Sequence, residues 1–135
     1  MSIDWVKDME EFEFSVVGAH HPPVPTVQPA TVRLHRITLV LEEVGELATA
    51  LSMNNMVEIA DAITDSIVVL IGTALTFGID LRPVWNEVLR SNMSKAGGRY
   101  RNDGKLLKPE GYSPPDIETI LREQYEKVLE ALNET

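Results

Sequence analysis

The segment from Met56 to Phe77 constrains the fold most, because its second half is apolar around the whole circumference of a helix. Its apolar residues include Ile63, Ile67, Val68, Val69, Leu70, Ile71, Ala74 and Leu75. The apolar run 67–75 contains Gly72 and Thr73 and is far shorter than the roughly 20 residues that cross a bilayer. We therefore predict a buried helix that other helices surround.

Helical periodicity recurs along the chain, whereas the alternation typical of strands is nearly absent. The predicted helices cover about 4–17, 31–51, 56–77, 80–92 and 116–131. The first carries an apolar stripe of Trp5, Met9, Phe12 and Val16; the second carries one of Leu34, Ile37, Leu41, Val44, Ala48 and Leu51. A chain of 135 residues supports one core, so the prediction is one all-α domain, a four- to five-helix bundle.

Composition and net charge limit which cellular compartment and which kinds of partner we expect. A net charge of -9 argues against nucleic acid polymers and anionic membrane surfaces as partners. The chain has no Cys, and its N-terminus lacks the basic-then-apolar order of a signal peptide, so we expect a cytoplasmic protein. Pro22, Pro23, Pro25 and Pro29 exclude a helix and predict a linker or an arm that lies over the surface.

Two acidic clusters carry the chemistry. Their members recur at spacings of three and four, so each cluster projects from one helix face; they are Glu42, Glu43 and Glu46, then Glu58, Asp61 and Asp65. Taken alone, the first cluster also fits a solvated acidic face. The second leads directly into the apolar half of its helix, which indicates that these carboxylates point toward the core or its mouth.

Buried carboxylates need a counter-charge, and the only nearby cations on the second helix are Arg33 and Arg36. A divalent metal ion is the alternative. Oxygen ligands without Cys or a well-placed His select Mg²⁺, Mn²⁺ or Ca²⁺ over zinc. Magnesium leads because it leaves coordination positions open for substrate phosphates.

A basic segment follows the fourth helix. It holds five of the chain's 12 Lys and Arg residues, namely Lys95, Arg99, Arg101, Lys105 and Lys108. Such a loop can be solvated or pair with Glu residues of another subunit. Beside a metal-carboxylate site it also supplies what a triphosphate requires, with Asn92 as a hydrogen-bonding side chain.

These motifs resemble those of the all-α nucleoside triphosphate pyrophosphohydrolases, the superfamily of the MazG proteins, dimeric dUTPases and phosphoribosyl-ATP pyrophosphohydrolase. The signature Glu-Glu-x-x-Glu, then Glu-x-x-Asp, is matched by 42–46 and 58–61. Further similar segments are 61–65, 72–80, 91–95, 103–105 and Lys108-Pro109. The likeness covers roughly 34–117 and is nearest to the MazG-like branch with dUTPase-type members. Only eleven residues separate Glu46 from Glu58, so a lid or base-recognition insertion found in some relatives is expected to be absent.

The resemblance implies Mg²⁺-dependent hydrolysis of dUTP or another nucleoside triphosphate between the α and β phosphates, with Mn²⁺ as a substitute ion. By position, Glu43, Glu46, Glu58 and Asp61 hold the metal, and Glu42 orients or deprotonates water. Contacts to substrate or its ions come from Asp65, Asn92, Lys95, Lys105 and Lys108. Within the single domain 1–135, the segments are then an N-terminal helix and arm 1–30, catalytic helices 31–95, a basic loop 96–115 and a C-terminal helix 116–135.

Family members complete their core with a second subunit, so a homodimer is expected here, and a tetramer stays open. Excess apolar surface on the third helix agrees with such an assembly. Two alternatives remain. One is phosphoribosyl-ATP pyrophosphohydrolase activity; the other is a helical oligomer that binds metal or nucleotide without turnover.

Overall fold

The computed structural model describes residues 3–135 and confirms the all-α fold, with five α-helices and no strand in that range. Met1 and Ser2, part of the N-terminus where no signal peptide is expected, lie outside the described residues. The helices are α1 Trp5–Phe12, α2 Ala30–Met53, α3 Met56–Thr76, α4 Leu81–Met93 and α5 Ile117–Asn133. A π-helical turn, Glu13–Val17, extends α1. The chain forms two compact units, Met1–Ile79 and Asp80–Thr135.

Side-chain caps fix where four helices begin. Asp4, Asn55, Asp80 and Asp116 each accept a hydrogen bond from a backbone N–H of the first turn, which otherwise has no partner within the helix. After α3 the chain turns at Gly78, whose φ of 70° is left-handed. The predicted helix boundaries therefore agree with the observed ones to within a few residues, except that α1 changes to π-helical geometry at Glu13.

In the first unit, α2 packs against α3 through a different face from the one that carries the predicted stripe. The predicted stripe is exposed: Leu34 is 61% accessible, Ile37 52% and Leu41 66%. The buried or half-buried positions are instead Val32, Arg36, Leu39, Val40, Glu43, Leu47 and Ala50. The stripe therefore does not face this chain's own core, and the packed face includes Arg36 and Glu43, which a hydrophobic pattern does not count.

The apolar stripe of α1 is also largely exposed. Trp5, Phe12 and Val16 are exposed, whereas Val6, Met9 and Glu13 are buried. Glu13 lies four residues after Met9 and continues the buried face, so a carboxylate occupies a position where the hydrophobic pattern would require an apolar residue.

A set of polar side chains connects the π-helical extension of α1 with α2 and α3. Arg36 on α2 donates from Nε to Thr73 Oγ1 at 2.9 Å and from Nη2 to the Val69 carbonyl at 2.8 Å. Glu13 lies on the same side of α3, since a Cβ at Gly72 would be 3.0 Å from both Glu13 Oε1 and Arg36 Nη2. His21 Nε2 is 3.6 Å from Glu13 Oε2. Burial lowers the pKa of Arg36, and the Glu13 charge opposes that shift.

The Pro-rich arm packs over the end of α3. The Thr26 N–H donates to the Phe77 carbonyl at 2.8 Å. A Cβ at Gly78 would lie 2.2 Å from the Val24 carbonyl oxygen and 2.8 Å from that of Pro22. Only a glycine leaves room for the segment here. Of the two predicted arrangements, a linker or an arm over the surface, the structure shows the arm.

In the second unit, polar side chains hold the ends of α4 and α5. Gln124 exchanges two hydrogen bonds with the Asp80 backbone, at 3.1 and 2.8 Å. Arg90 pairs with Glu87 and also donates to Ser113 Oγ and the Pro114 carbonyl, both at 3.0 Å. Glu87 Oε1 accepts the Asp116 N–H at 3.0 Å, which fixes the start of α5.

Within the part of the chain that the structure describes, α3 is the one helix long and apolar enough to cross a membrane, with a mean hydropathy of 1.6 over its most apolar window. A core helix of a soluble protein has the same length and composition, so this is weak evidence for a membrane span. The absence of a membrane partner stays a prediction.

Candidate active site

The structure brings five of the predicted acidic residues together between α2 and α3. The Glu43 side chain lies at their centre: its Oε2 is shielded from solvent and has no hydrogen-bond partner. Burial raises the pKa of Glu43, and the charges of Glu46, Asp65, Glu42 and Asp61 raise it further. These five residues, Glu42, Glu43, Glu46, Asp61 and Asp65, are called the acidic cluster below.

Helix packing explains why these residues meet. Glu43 belongs to the packed face of α2, and Asp65, one turn after Asp61 on α3, is half-buried. Ala50 on α2 and Ala62 and Ser66 on α3 are buried, and such small side chains let two helices approach closely. Glu58, the remaining predicted metal ligand, lies on the exposed first turn of α3 and is not among the residues whose charge acts on Glu43.

Within the described part of the chain, no cation neutralises the acidic cluster. Among residues 3–135, none of its members forms an ion pair with Lys, Arg or His. Arg36, the nearest candidate on the packed face of α2, is bound to Thr73 and Val69 instead. In the same described range, no group of three or more His, Cys, Asp or Glu side chains is arranged to hold a metal ion. The cluster therefore has the charge that a cation requires but not a closed coordination geometry.

The second unit contains four of the residues predicted to contact substrate. Three of them, Asn92, Lys95 and Lys108, are connected to one another through Lys95 and the Tyr112 ring. Lys95 Nζ donates to Asn92 Oδ1 at 2.7 Å. Lys95 Nζ also lies 6.0 Å from the centre of the Tyr112 ring, and Lys108 Nζ lies 4.8 Å from it. The fourth residue, Lys105, is in the turn closed by the Tyr100–Leu106 bridge, where its backbone N–H donates to Asp103 Oδ1 at 3.2 Å.

Tyr112 is a residue that sequence reasoning missed. The signal was an aromatic residue within a segment that holds Lys108 and follows Lys95, but no spacing rule connects residues 4 and 17 positions apart in a loop. Glu13 was missed as well, because nothing in a single amphipathic helix shows that a carboxylate on it will be buried.

Comparison with known proteins agrees with the fold and the acidic helices. Together they define the class, the MazG-like all-α nucleoside triphosphate pyrophosphohydrolases. The model of one family, phosphoribosyl-ATP pyrophosphohydrolase, matches residues 14–92, more than half of the chain. The chain belongs to this family. The match covers the acidic cluster, Glu58 and Asn92 but ends before Lys95.

A viral relative is also similar. A protein of Acanthamoeba polyphaga mimivirus, named Uncharacterized protein L479, is 49% identical over 53 residues, which make up 39% of this chain. The chain covers 21% of the length of that viral protein. Its name states no activity, so the similarity adds no information on substrate.

Proposed function

We propose that this chain is a Mg²⁺-dependent pyrophosphohydrolase that cleaves a nucleoside triphosphate between the α and β phosphates. The observation that carries the proposal is the environment of Glu43, a shielded carboxylate oxygen without a partner beside four more carboxylates. An uncompensated charge of this kind is costly in a folded protein. A hard divalent cation offsets it and prefers the oxygen ligands that the cluster provides.

In this proposal, Glu43, Glu46, Glu58 and Asp61 hold Mg²⁺, with Mn²⁺ as a substitute. The bound ion supplies charge neutralisation for the phosphates. Because no closed site is present in residues 3–135, ion binding requires side-chain rotation, and the exposed Glu46, Glu58 and Asp61 side chains are free to rotate.

Glu42 is the proposed general base. Its side chain is exposed on α2, where water can reach it. The carboxylate accepts a proton from a water molecule as the water oxygen bonds to the α phosphorus. The bond from that phosphorus to the α–β bridging oxygen then breaks, and pyrophosphate leaves with the bridging oxygen.

The proposed substrate contacts are Asp65 beside the metal ligands and Asn92, Lys95, Lys105 and Lys108 in the second unit. Lys side chains act as point charges toward phosphate oxygens. Asn92 already positions Lys95 through their 2.7 Å hydrogen bond.

Two substrates share this chemistry. The acidic motifs favour dUTP or another (d)NTP by their likeness to the dUTPase-type branch, whereas the family match favours phosphoribosyl-ATP. A helical oligomer that binds nucleotide without turnover is the alternative from a different class. All three hypotheses give a role to the same carboxylates. They differ in which substrate is hydrolysed, or in whether any substrate is hydrolysed.

We further propose a homodimer in the cytoplasm, with neither nucleic acid polymers nor membranes as partners. The exposed stripe Leu34, Ile37, Leu41, Val44 and Leu51 on α2 supports the dimer, because a monomer would leave this apolar surface in water. Beside the stripe lies a depression of about 330 Å³, lined by Arg33, Arg36, Ile37, Val40, Leu41, Thr73 and Phe77. A net charge of -9 supports the exclusion of nucleic acid polymers and anionic membranes as partners.

The test measures pyrophosphate release from a panel of canonical and modified (d)NTPs and phosphoribosyl-ATP, with Mg²⁺ or EDTA. Glu42→Gln should lower kcat about 10² to 10⁴-fold, the usual contribution of a general base. Glu126→Gln, an exposed substitution on α5, is the matched control. Metal-dependent pyrophosphate release that is lost in Glu42→Gln and kept in Glu126→Gln would support the proposed activity. Tight nucleotide binding without any release would favour the non-catalytic oligomer.

A further inference from the structure

The Tyr112 ring lies against two cations of the second unit. The Lys108 ammonium is 4.8 Å from the ring centre and the Lys95 ammonium 6.0 Å. Both distances are within the range in which a cation is attracted to the electron-rich face of an aromatic side chain. Lys95 at the start of the basic segment and Lys108 at its end thus share one contact.

Hydrogen bonds fix the backbone at Tyr112 and Ser113, and one more reaches the phenol of Tyr112. The Tyr112 N–H donates to the Pro109 carbonyl at 3.0 Å, and the phenol oxygen accepts a long hydrogen bond from Ser91 Oγ at 3.4 Å. Ser91 is only 2% exposed, which ties the phenol to the buried side of α4. The next residue, Ser113, donates its N–H to Ser94 Oγ at 2.9 Å. The backbone that carries the ring is therefore anchored, whereas both lysines have long flexible side chains.

The cluster carries excess positive charge. Among residues 3–135, neither Lys95 nor Lys108 forms an ion pair with a carboxylate. The pKa of Tyr112 is lowered, first by the Ser91 hydrogen bond and then by the charges of Lys108, Lys95 and Arg90. Glu87 neutralises Arg90, which leaves the two ammonium groups for an anion from solution. Two cations against one ring match a ligand with two linked phosphate groups.

We propose that Tyr112 is a positioning residue that holds Lys95 and Lys108 as a binding site for a pyrophosphate group. The assignment rests on the proposed function, in which that group is the product and the terminal part of the substrate. Tyr112 acts through the two lysines and contacts no reacting atom. A Phe at this position keeps the ring and should keep the site, whereas a Leu should lose it.

Titration calorimetry of the full chain with inorganic pyrophosphate in EDTA tests the site without metal or turnover. Wild-type protein and Tyr112→Phe should bind with affinities within about twofold, because the ring supplies the cation–π contacts. Tyr112→Leu should bind about tenfold more weakly, as two such contacts are lost. Lys108→Met should weaken binding at least as much. The matched controls are Tyr125→Leu and Lys127→Met on α5, which should bind like the wild type.

Steady-state kinetics on the best substrate separates positioning from a general loss of structure. Tyr112→Leu should raise KM about tenfold with kcat nearly unchanged, the pattern of lost uniform binding. Wild-type protein that releases pyrophosphate from substrate but binds none in calorimetry would overturn this assignment and leave the proposed function intact. Equal binding by wild type and Tyr112→Leu would overturn it too. Pyrophosphate binding with no hydrolysis would support the site and contradict the proposed function.

Discussion

At the residue scale, Glu43 is where packing and chemistry conflict. Its position on the packed face of α2 shields one oxygen from water, yet its neighbours across the helix pair are further carboxylates. Hydrophobic contacts between α2 and α3 must hold this arrangement against charge repulsion. Proteins retain such local instability most often where a ligand relieves it.

Glu43→Gln should therefore have opposite effects on stability and activity. Without metal, the melting temperature should rise, because one charge is removed from a repelling group. Mg²⁺-dependent turnover should fall about 100-fold or more, as expected for a lost metal ligand. Thermal melts with and without Mg²⁺ measure the first effect, and pyrophosphate release measures the second. A variant with lower metal-free stability would contradict the proposed repulsion; Glu126→Gln controls for a general charge effect.

Glu87 shows the reverse electrostatic case. The hydrogen bonds from Arg90 and the Asp116 N–H lower its pKa from 4.5 to about 2. A carboxyl group with a lowered pKa stabilises the fold fully above its unfolded value and loses that contribution as the pH falls toward the folded value. Glu87→Gln should therefore be less stable at neutral pH, and the difference from wild type should shrink between pH 4.5 and about 2. Urea denaturation at several pH values measures this, and a pH-independent difference would contradict it.

The acidic cluster of the first unit and the lysines of the second unit differ in how far the sequence predicted them. Glu43, Glu46 and Asp61 followed from helical spacing, because residues three or four apart on regular helices share a face whatever the tertiary structure. The contact of Lys95 and Lys108 with Tyr112 did not, because it depends on the path of an irregular loop. Local geometry can be predicted from periodicity, whereas loop geometry cannot.

At the scale of the elements, α2 shows the same limit. Its boundaries were predicted well and its apolar stripe was identified, but the structure leaves that stripe exposed and packs another face against α3. A hydrophobic pattern shows that a face must be covered without showing what covers it. The face that packs against α3 instead carries Arg36 and Glu43. Arg36 donates hydrogen bonds to Thr73 and Val69, whereas Glu43 lies beside four other carboxylates.

The contact between the Pro-rich arm and α3 gives a prediction for an element boundary. Gly78→Ala should destabilise the protein by about 3 kcal/mol, because φ is 70° and the new Cβ would lie 2.2 Å from the Val24 carbonyl oxygen. Gly45→Ala is the matched control, since its Cβ meets nothing within 4 Å and the site is inside a helix. That substitution should stabilise by about 0.5 to 1 kcal/mol. Urea denaturation compares them; equal stabilities would show that the arm does not pack on Gly78.

At the scale of the whole molecule, the buried apolar set is small for a chain of 135 residues. In the described range it comprises Val6, Met9, Ala50, Ala62, Ile71, Ala74 and Leu75, and no large side chain is fully buried. Small cores leave little margin over the conformational entropy lost on folding. Covering the α2 stripe with a second copy would enlarge the buried apolar surface with residues already in place.

Ile37→Glu tests the dimer directly. Under two-fold symmetry one substitution changes the interface twice, and losing about 1.5 kcal/mol for each buried side chain raises the dissociation constant at least about 100-fold. Leu132→Glu near the end of α5 is the control, since Leu132 is also exposed but lies outside the stripe. Analytical ultracentrifugation across a concentration series should show a wild-type dimer, a monomeric Ile37→Glu variant and a dimeric Leu132→Glu variant. Monomeric wild-type protein at all concentrations would contradict the dimer, whereas a tetramer that Ile37→Glu reduces to dimers would place the stripe at one of two interfaces.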